Sequence, residues 1–325
     1  MLEWFSANQF FIDNTLITTV LVMSFFVALQ AGVFSLASVG LMAVGGYMTA
    51  VLTTTYHVPV VEGIFAGALA GGVMAGIFGL AVARLSGIYL ALATFALGQS
   101  AIVIIGELKI TNAQQGILGI PVLYTTAWTV VGLLVAAAVF EVIRRSSHGR
   151  AFRAVRVDEV VAKSIGINAG AYRLGALVLS GLLAGFAGAL NAHEIGVISP
   201  DQYNFGVLVL GLTYAMVGGV EHWAGPMLAS VALGIFREQA RGVGTDIEDA
   251  AYGVLLVVLI FLAPRGLGDR RVVRGFARLS SLVRSRLRPP GSRPPPPTPL
   301  ATDRSSNERA IAGPSVGASG AERKT

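Results

Sequence analysis

Apolar runs of roughly 17 to 25 residues, separated by short polar segments, recur along most of this chain. A bilayer core of about 30 Å requires helices of this length, because an α-helix rises about 1.5 Å per residue. The runs do not alternate apolar and polar residues, as the strands of a membrane β-barrel would. The pattern therefore predicts an all-α polytopic membrane protein with about 8–10 transmembrane or re-entrant helices.

Glycine interrupts several of these runs. In the second span, Gly40, Gly45 and Gly46 allow either an unwound, re-entrant piece or close packing against a neighbouring helix. The segment from Gly218 to Pro226 predicts a tight break between the seventh and eighth spans. The predicted spans are 11–31, 33–55, 60–83, 87–105, 123–143, 171–192, 205–220, 224–241 and 250–263.

Small residues one helical turn apart predict where helices touch. The third span carries two such rows, and the sixth span carries two more. Because lipid supplies no hydrophobic drive between helices, these rows favour close backbone approach over a role in ligand binding. They are Gly63, Gly67 and Gly71; Gly72 and Gly76; Ser180, Ala184 and Gly188; and Gly181 with Gly185.

Composition narrows the possible functions. The chain is 54% hydrophobic and only 13% charged, and its mean hydropathy is +0.69, whereas about 25% of residues are charged in soluble domains. Cysteine is absent and the four histidines are scattered, so no disulfide, thiolate nucleophile or metal site is expected. The pI near 9.9 does not indicate nucleic-acid binding, because the basic residues lie in loops and a tail that flank the spans.

The distribution of positive charge predicts the orientation. With the spans above, 21 of the 24 Lys and Arg residues fall on one side, in the segment 144–173, at Arg84 and in the tail. The positive-inside rule makes that side cytoplasmic. We expect a permease domain at 1–268, with a cytoplasmic loop at 144–170, and a basic, Pro-rich, disordered cytoplasmic tail at 269–325, in a multi-pass protein of a bacterial inner membrane.

The charged loop contains the pattern of a short helix. Asp158 suits the N-cap, Glu159 is placed to pair with Lys163 one turn later, and Gly166 suits the position after the C-terminus. A helix over 159–165 is predicted, with Val160, Val161, Ala162 and Ile165 to bury. Arg150, Arg153 and Arg156 recur every three residues before it. The segment is either a loop that only fixes the topology or a docking helix for a cytoplasmic partner.

Polar residues near or within the spans are candidates for a translocation path. Tyr89, Gln99 and Asn191 are the three we single out, with hydrogen bonding between helices as the alternative role. Two external acids, Glu194 and Asp201, are either solvated loop charges or contacts for a partner. No charged residue is expected in the middle of a span, which argues against a secondary transporter.

Several segments resemble the branched-chain amino-acid ABC transporter permease family, of the LivM type. The resemblance runs over residues 30–268 and is carried by four segments in the same order. They are GIYLALATFALGQ (87–99), QGILGIP (115–121), GRAFRAVRVDEVVAKSIGINAGAYRLG within 149–205, and the glycine-rich break from Gly218 to Pro226.

The resemblance implies an ABC importer permease fold and a transport subunit without catalytic, cofactor-binding or metal-binding residues. Its implied partners are two cytoplasmic ATPase subunits, a second homologous permease, a periplasmic or lipoprotein solute-binding protein, and membrane lipids. ATP would be bound by the ATPases, in keeping with the absence of a G-x-x-x-x-G-K-[ST] motif from this chain.

The resemblance also implies roles for residues of the charged loop. Glu159, Ala162 and Gly166 match a degenerate E-x-x-A-x-x-x-G docking element, to which Asp158 and Lys163 add the cap and the ion pair. The expected cargo is branched-chain or related amino acids. Urea, short amides or another small solute are alternatives within the family, and a secondary transporter or a membrane scaffold are alternatives outside it.

Overall fold

The computed structural model describes residues 9–111, 115–122 and 125–240. The predicted last span (250–263) and the tail (269–325) lie outside the described residues. Among the described residues, five helices are long and apolar enough to cross a membrane, which confirms the predicted all-α polytopic fold. The helices are α1 (Gln9–Gln30), α2 (Ser38–Thr54), α3 (Val60–Ala81), α4 (Gly87–Glu107), α5 (Thr125–Arg145), α6 (Ser147–Val157), α7 (Glu159–Ser164), α8 (Ala169–Ile195), α9 (Phe205–Gly218) and α10 (Ala224–Ala240).

Most helices agree with the predicted spans to within three residues, but α2 does not. It begins at Ser38, because residues 31–37 form a turn and an extended segment. Gly32 in this turn has a φ of +71°, a backbone conformation that favours glycine. Further along, Gly40, Gly45 and Gly46 lie inside one uninterrupted helix. Of the two interpretations of these glycines, the structure therefore supports close packing.

The central helix of the bundle is α8, which makes its most extensive contacts with α3, α2 and α1. Its glycines lie directly against the backbones of its neighbours. A Cβ on Gly188 would collide with the carbonyl oxygen of Met42 in α2, and a Cβ on Gly185 would lie 2.6 Å from that of Gly67 in α3. No side chain fits at these positions. The predicted packing role of the small-residue rows in α3 and α8 is confirmed.

One glycine of α2 completes a three-helix contact. A Cβ on Gly45 would collide with the backbone of Gly185, and a Cβ on Gly67 would lie 2.6 Å from the carbonyl oxygen of Gly45. On the other side of α2, a Cβ on Gly40 would lie 2.5 Å from the backbone of Gly98 in α4. We call the meeting point of α2, α3 and α8 at Gly45, Gly67 and Gly185 the glycine junction.

A hairpin of two shorter helices, α9 and α10, packs beside α1. The linker between them, residues 219–223, lies within the break that the sequence predicts from Gly218 to Pro226. Gly218 is so close to Pro226 that only a glycine fits there. Ser230 of α10 donates a hydrogen bond to Thr19 of α1, with 2.8 Å between the hydroxyl oxygens. At the end of the bundle away from this linker, two short strands pair antiparallel, β1 (Ile117–Leu118) with β2 (Val197–Ile198).

The close contact of Gly188 with the backbone of Met42 generates a stability prediction. We expect Gly188→Ala to lower the thermal midpoint of the detergent-purified protein by several degrees, because overpacking a close contact costs about 1–3 kcal/mol. The matched control is Gly175→Ala in the same helix, where a Cβ would have no neighbour within 4 Å. That change should leave the midpoint unchanged or raise it, since alanine favours the helix. Equal midpoints for the two variants would contradict the close contact.

Candidate functional site

Five segments meet at one end of the helix bundle: the turn at Gly32, the turn after α3, α6, the start of α8 and the α9–α10 linker. Arg156 of α6 lies against Gly32 and donates a hydrogen bond to the carbonyl oxygen of Val220 in the α9–α10 linker. The turn after α3 and the start of α8 share a cavity of about 220 Å³, lined in part by Val82 and Arg173. We call this the α6–α7 end. It gathers the segments for which the sequence predicts a cytoplasmic location.

The first element of the site is α6, a helix that the sequence analysis did not predict. Ser146 caps its N-terminus by accepting a hydrogen bond from the backbone N–H of Gly149. One face turns inward, where Val155 is buried and the ring of Phe152 meets that of Tyr172 edge-to-face at 5.4 Å. The arginines at every third position leave Phe152 and Val155 on the inward face of this helix.

The second element is α7, whose local chemistry agrees with the prediction. The carboxylate of Asp158 accepts hydrogen bonds from the backbone N–H groups of Val160 and Val161 at 2.8 and 3.1 Å. Gly166 has a φ of +83°, as a residue that ends a helix in the left-handed conformation does. The helix covers Glu159–Ser164, one residue less than predicted.

Glu159 ties α7 to itself and to the central helix. Its carboxylate pairs with Lys163 at 2.8 Å, as predicted, and with Arg173 of α8 at 2.7 Å. The hydrogen bond from Lys163, together with the charges of Arg173 and Lys163, lowers the pKa of Glu159. The carboxylate is therefore ionised at neutral pH, and α7 is fixed to the first turns of α8.

The apolar residues of α7 face outward. Only Ala162 is buried, where it packs with Val155 and Ala169. The prediction that Val160, Val161 and Ile165 would also be buried is wrong: their exposed fractions are 77%, 57% and 68%. The helix is only about one and a half turns long, so only one of its apolar residues, Ala162, faces the protein. It is held in place by its N-cap and its ion pairs. The outward valines and isoleucine form the α7 face.

Glu141, near the end of α5, connects the site to the α9–α10 linker. Its carboxylate accepts hydrogen bonds from the Nε atoms of Arg144 and Arg145 at 2.8 and 2.6 Å and from the indole N–H of Trp223 at 3.1 Å. Glu141 and Trp223 are 82 residues apart, and sequence reasoning missed their contact. No sequence signal identifies such a pair, because it exists only through the packing of α5 on α1 and the position of the linker.

The three predicted path residues are not brought together. Tyr89 is 71% exposed, and Gln99 lies ten residues later on the same helix, about 15 Å along its axis. Asn191 lies on α8 and is partly buried. An apolar cavity of about 450 Å³ lies between parts of α2, α3 and α4. The described residues that line it include none of the three predicted path residues. The buried hydroxyl of Tyr47, also in this lining, has no hydrogen-bond partner among the described residues.

Sequence reasoning also missed a buried acid at the end of the bundle opposite the α6–α7 end. Asp13 is 1% exposed and lies near Glu194 and Thr126. Glu194 has partners among the described residues, so it is not a free loop charge. A carboxylate five residues into an apolar helix was the signal that the sequence offered. Nearby, His193 is buried and contacts the carbonyl oxygen of Pro121 at 2.8 Å. Within the described residues, no three His, Asp or Glu side chains are grouped as a metal ion would require.

Comparison with known proteins supports a single family. The family model described as branched-chain amino acid transport system / permease component matches residues 10–263. The chain is 28% identical over 272 residues to the high-affinity branched-chain amino acid transport system permease protein LivM of Salmonella typhimurium, which covers 73% of this chain and 64% of that protein. It is 28% identical to the corresponding protein LivH of Escherichia coli over 167 residues, covering 51% of this chain and 53% of LivH.

A third relative has a different substrate in its name. The chain is 27% identical to the nucleoside ABC transporter permease protein NupC of Lactococcus lactis over 238 residues, covering 65% of this chain and 74% of NupC. The match to LivM spans less than two thirds of that relative's length. No solved structure matches the chain.

The cap of α7 generates a local prediction. We expect Asp158→Ala to speed hydrogen–deuterium exchange at the amides of Val160 and Val161, because it removes their hydrogen-bond acceptor at a cost of about 1 kcal/mol. Asp158→Asn keeps an acceptor oxygen and is the control, with exchange close to that of the unchanged protein. Exchange that is equally fast in all three proteins would show that the cap does not hold α7.

Proposed function

This chain belongs to the family of branched-chain amino acid transport permease components, and from that membership we propose that it is the permease subunit of an ABC importer for branched-chain or related amino acids. In this role it performs no covalent chemistry and needs no cofactor of its own. ATP would be bound and hydrolysed by separate subunits, which drive the opening and closing of a path through the membrane.

The observation that carries the proposal is the α7 face. Val160 and Ile165 expose most of their surface on a short helix that is capped, ion-paired and fixed to the central helix α8. Apolar side chains that project from a rigid support at the end of a helix bundle have the character of a protein interface. We propose that Asp158, Glu159, Ala162, Lys163 and Gly166 shape this helix and that its outward face docks on a cytoplasmic ATPase subunit.

The proposed assembly contains two ATPase subunits, a second homologous permease and a periplasmic or lipoprotein solute-binding protein, with membrane lipids around it and no nucleic acid. We place the α6–α7 end and the tail in the cytoplasm of a bacterial cell whose inner membrane holds the chain. This orientation is supported by the positive-inside count and by the gathering of the segments near Gly32, Val82, Arg156 and Val220 at one end.

The proposed cargo is taken from the names of the relatives, and the residues of the translocation path are proposed individually. Tyr89 and Gln99 of α4 and Asn191 of α8 are the polar candidates, and they are spread over two helices, with Tyr89 and Gln99 about 15 Å apart along α4. We therefore propose that the path is completed at the contact with the second permease. Transport of nucleosides is a second candidate, because NupC is 27% identical to this chain, close to the 28% of LivM.

Docking through α7 is testable by charge insertion. We expect Val160→Glu to reduce co-purification of the ATPase subunits about tenfold, because a buried unpaired carboxylate in an interface costs more than about 1.4 kcal/mol. The control is Val122→Glu, which makes the same substitution at a valine that is 70% exposed near the opposite end. That variant should retain its ATPase subunits. Equal retention by both variants would contradict docking through α7.

Uptake by the source cells tests the cargo. We expect deletion of the gene to abolish high-affinity uptake of labelled leucine, isoleucine and valine, and we expect restoration by the unchanged gene or the Val122→Glu form but not by Val160→Glu. Labelled uridine is the comparison solute. Loss of uridine uptake with leucine uptake intact would favour the nucleoside function, and uptake that persists after ATP depletion would favour a secondary transporter.

A further inference from the structure

Two hydrogen bonds join the α9–α10 linker to helices from elsewhere in the chain. The guanidinium Nη1 of Arg156 in α6 donates to the carbonyl oxygen of Val220 at 2.9 Å. The indole N–H of Trp223 donates to the carboxylate of Glu141 in α5 at 3.1 Å. The linker is therefore fastened near both of its ends to α5 and α6, the helices that lead into the proposed docking helix.

Both donors are held in place by their own surroundings. The backbone of Arg156 lies against Gly32, where a Cβ would come within 3.0 Å of the Arg156 Cα atom. The ring of Trp223 packs against the buried cluster that includes Phe26 and Phe140. Glu141 is oriented by its two arginine neighbours. Because Arg156, Trp223 and Glu141 are each positioned by other contacts, the two hydrogen bonds fix the position of the linker.

The linker in turn sets the position of α10. This helix begins at Ala224, the residue after Trp223, and it packs along α1 through polar and small contacts. Ser230 bonds to Thr19, and Gly234 leaves room for Thr15, whose Cγ2 atom would lie 2.9 Å from a Cβ there. A displacement of the linker is therefore passed to the start of α10.

We infer that Arg156 and Trp223 are positioning residues that transmit movement of the docking unit, α6 and α7, to α10. Displacement of α7 by an ATPase subunit would move α6, since Ala162 packs on Val155. Arg156 and Glu141 would then carry the linker and the first turn of α10 with them. This route rests on the proposed function, because it needs an ATP-driven partner at α7.

The experiment measures the leucine transported per ATP hydrolysed by the complete complex in proteoliposomes. We expect the double variant Arg156→Gln/Trp223→Phe to lower this ratio about fivefold or more while co-purification of the ATPase subunits stays unchanged. Phenylalanine keeps an aromatic ring against the buried cluster and removes only the N–H donor. The control Arg84→Gln removes the same charge from an exposed position in the turn after α3, outside the docking unit, and should leave the ratio within about twofold of the unchanged complex.

The outcomes separate the inference from the function on which it rests. If the unchanged complex couples ATP hydrolysis to leucine transport and the double variant keeps the same ratio, the transmission route is wrong and the proposed function stands. A proportional fall of transport and hydrolysis in the double variant would also overturn it, because that result describes a damaged complex. If the unchanged complex transports no leucine, the proposed cargo fails and the next measurement decides the inference.

The fastening itself is measured by spin labels on the purified chain, which contains no native cysteine. Ser147→Cys on α6 and Glu221→Cys in the linker are both exposed and give the only two labels. We expect one narrow distance distribution between the labels when Arg156 and Trp223 are present. Adding Arg156→Gln/Trp223→Phe should broaden it about twofold or more. Equal widths with and without the two changes would overturn the inference.

Discussion

Direct backbone contact between α8 and its neighbours is the constraint on which the described bundle depends. In lipid, apolar side chains gain little by leaving their surroundings, so helices associate where their backbones come close enough for dense packing. At the glycine junction, Gly45, Gly67 and Gly185 leave no space for a Cβ. The three helices α2, α3 and α8 therefore have one mutual arrangement.

The same central helix positions the candidate functional site. The N-terminal turns of α8 carry Tyr172, which packs on Phe152, and Arg173, which pairs with Glu159. The site is thus built on the N-terminal turns of the central helix of the bundle. Ion pairs at a surface contribute little stability individually. Their role here is geometric, because they hold the short α7 with its apolar side chains pointing away from the protein.

Helix positions followed from the sequence because hydropathy and small-residue spacing are local properties of one helix. The cap at Asp158 and the left-handed Gly166 followed for the same reason. The burial of Val160 and Ile165 was predicted wrongly, since an apolar residue outside lipid was assumed to face its own protein, whereas here it faces outward. The Glu141–Trp223 and Arg156–Val220 contacts were missed, because they join segments 82 and 64 residues apart. Only the packed bundle determines such pairs.

The helices of this bundle are held together by contacts of different kinds, and this difference favours motion of α10. Helices α2, α3 and α8 interlock through their backbones, so moving one requires separating all three. The α9–α10 hairpin meets α1 through side chains, with Gly211 against the ring of Phe25, and through the hydrogen bond between Ser230 and Thr19. Hydroxyl hydrogen bonds between membrane helices contribute little, about 0.6 kcal/mol on average, so they permit sliding at small cost. A transporter that alternates between two states needs a fixed frame and a movable part. The backbone contacts among α2, α3 and α8 suit the frame, and the side-chain contacts between the hairpin and α1 suit the movable part.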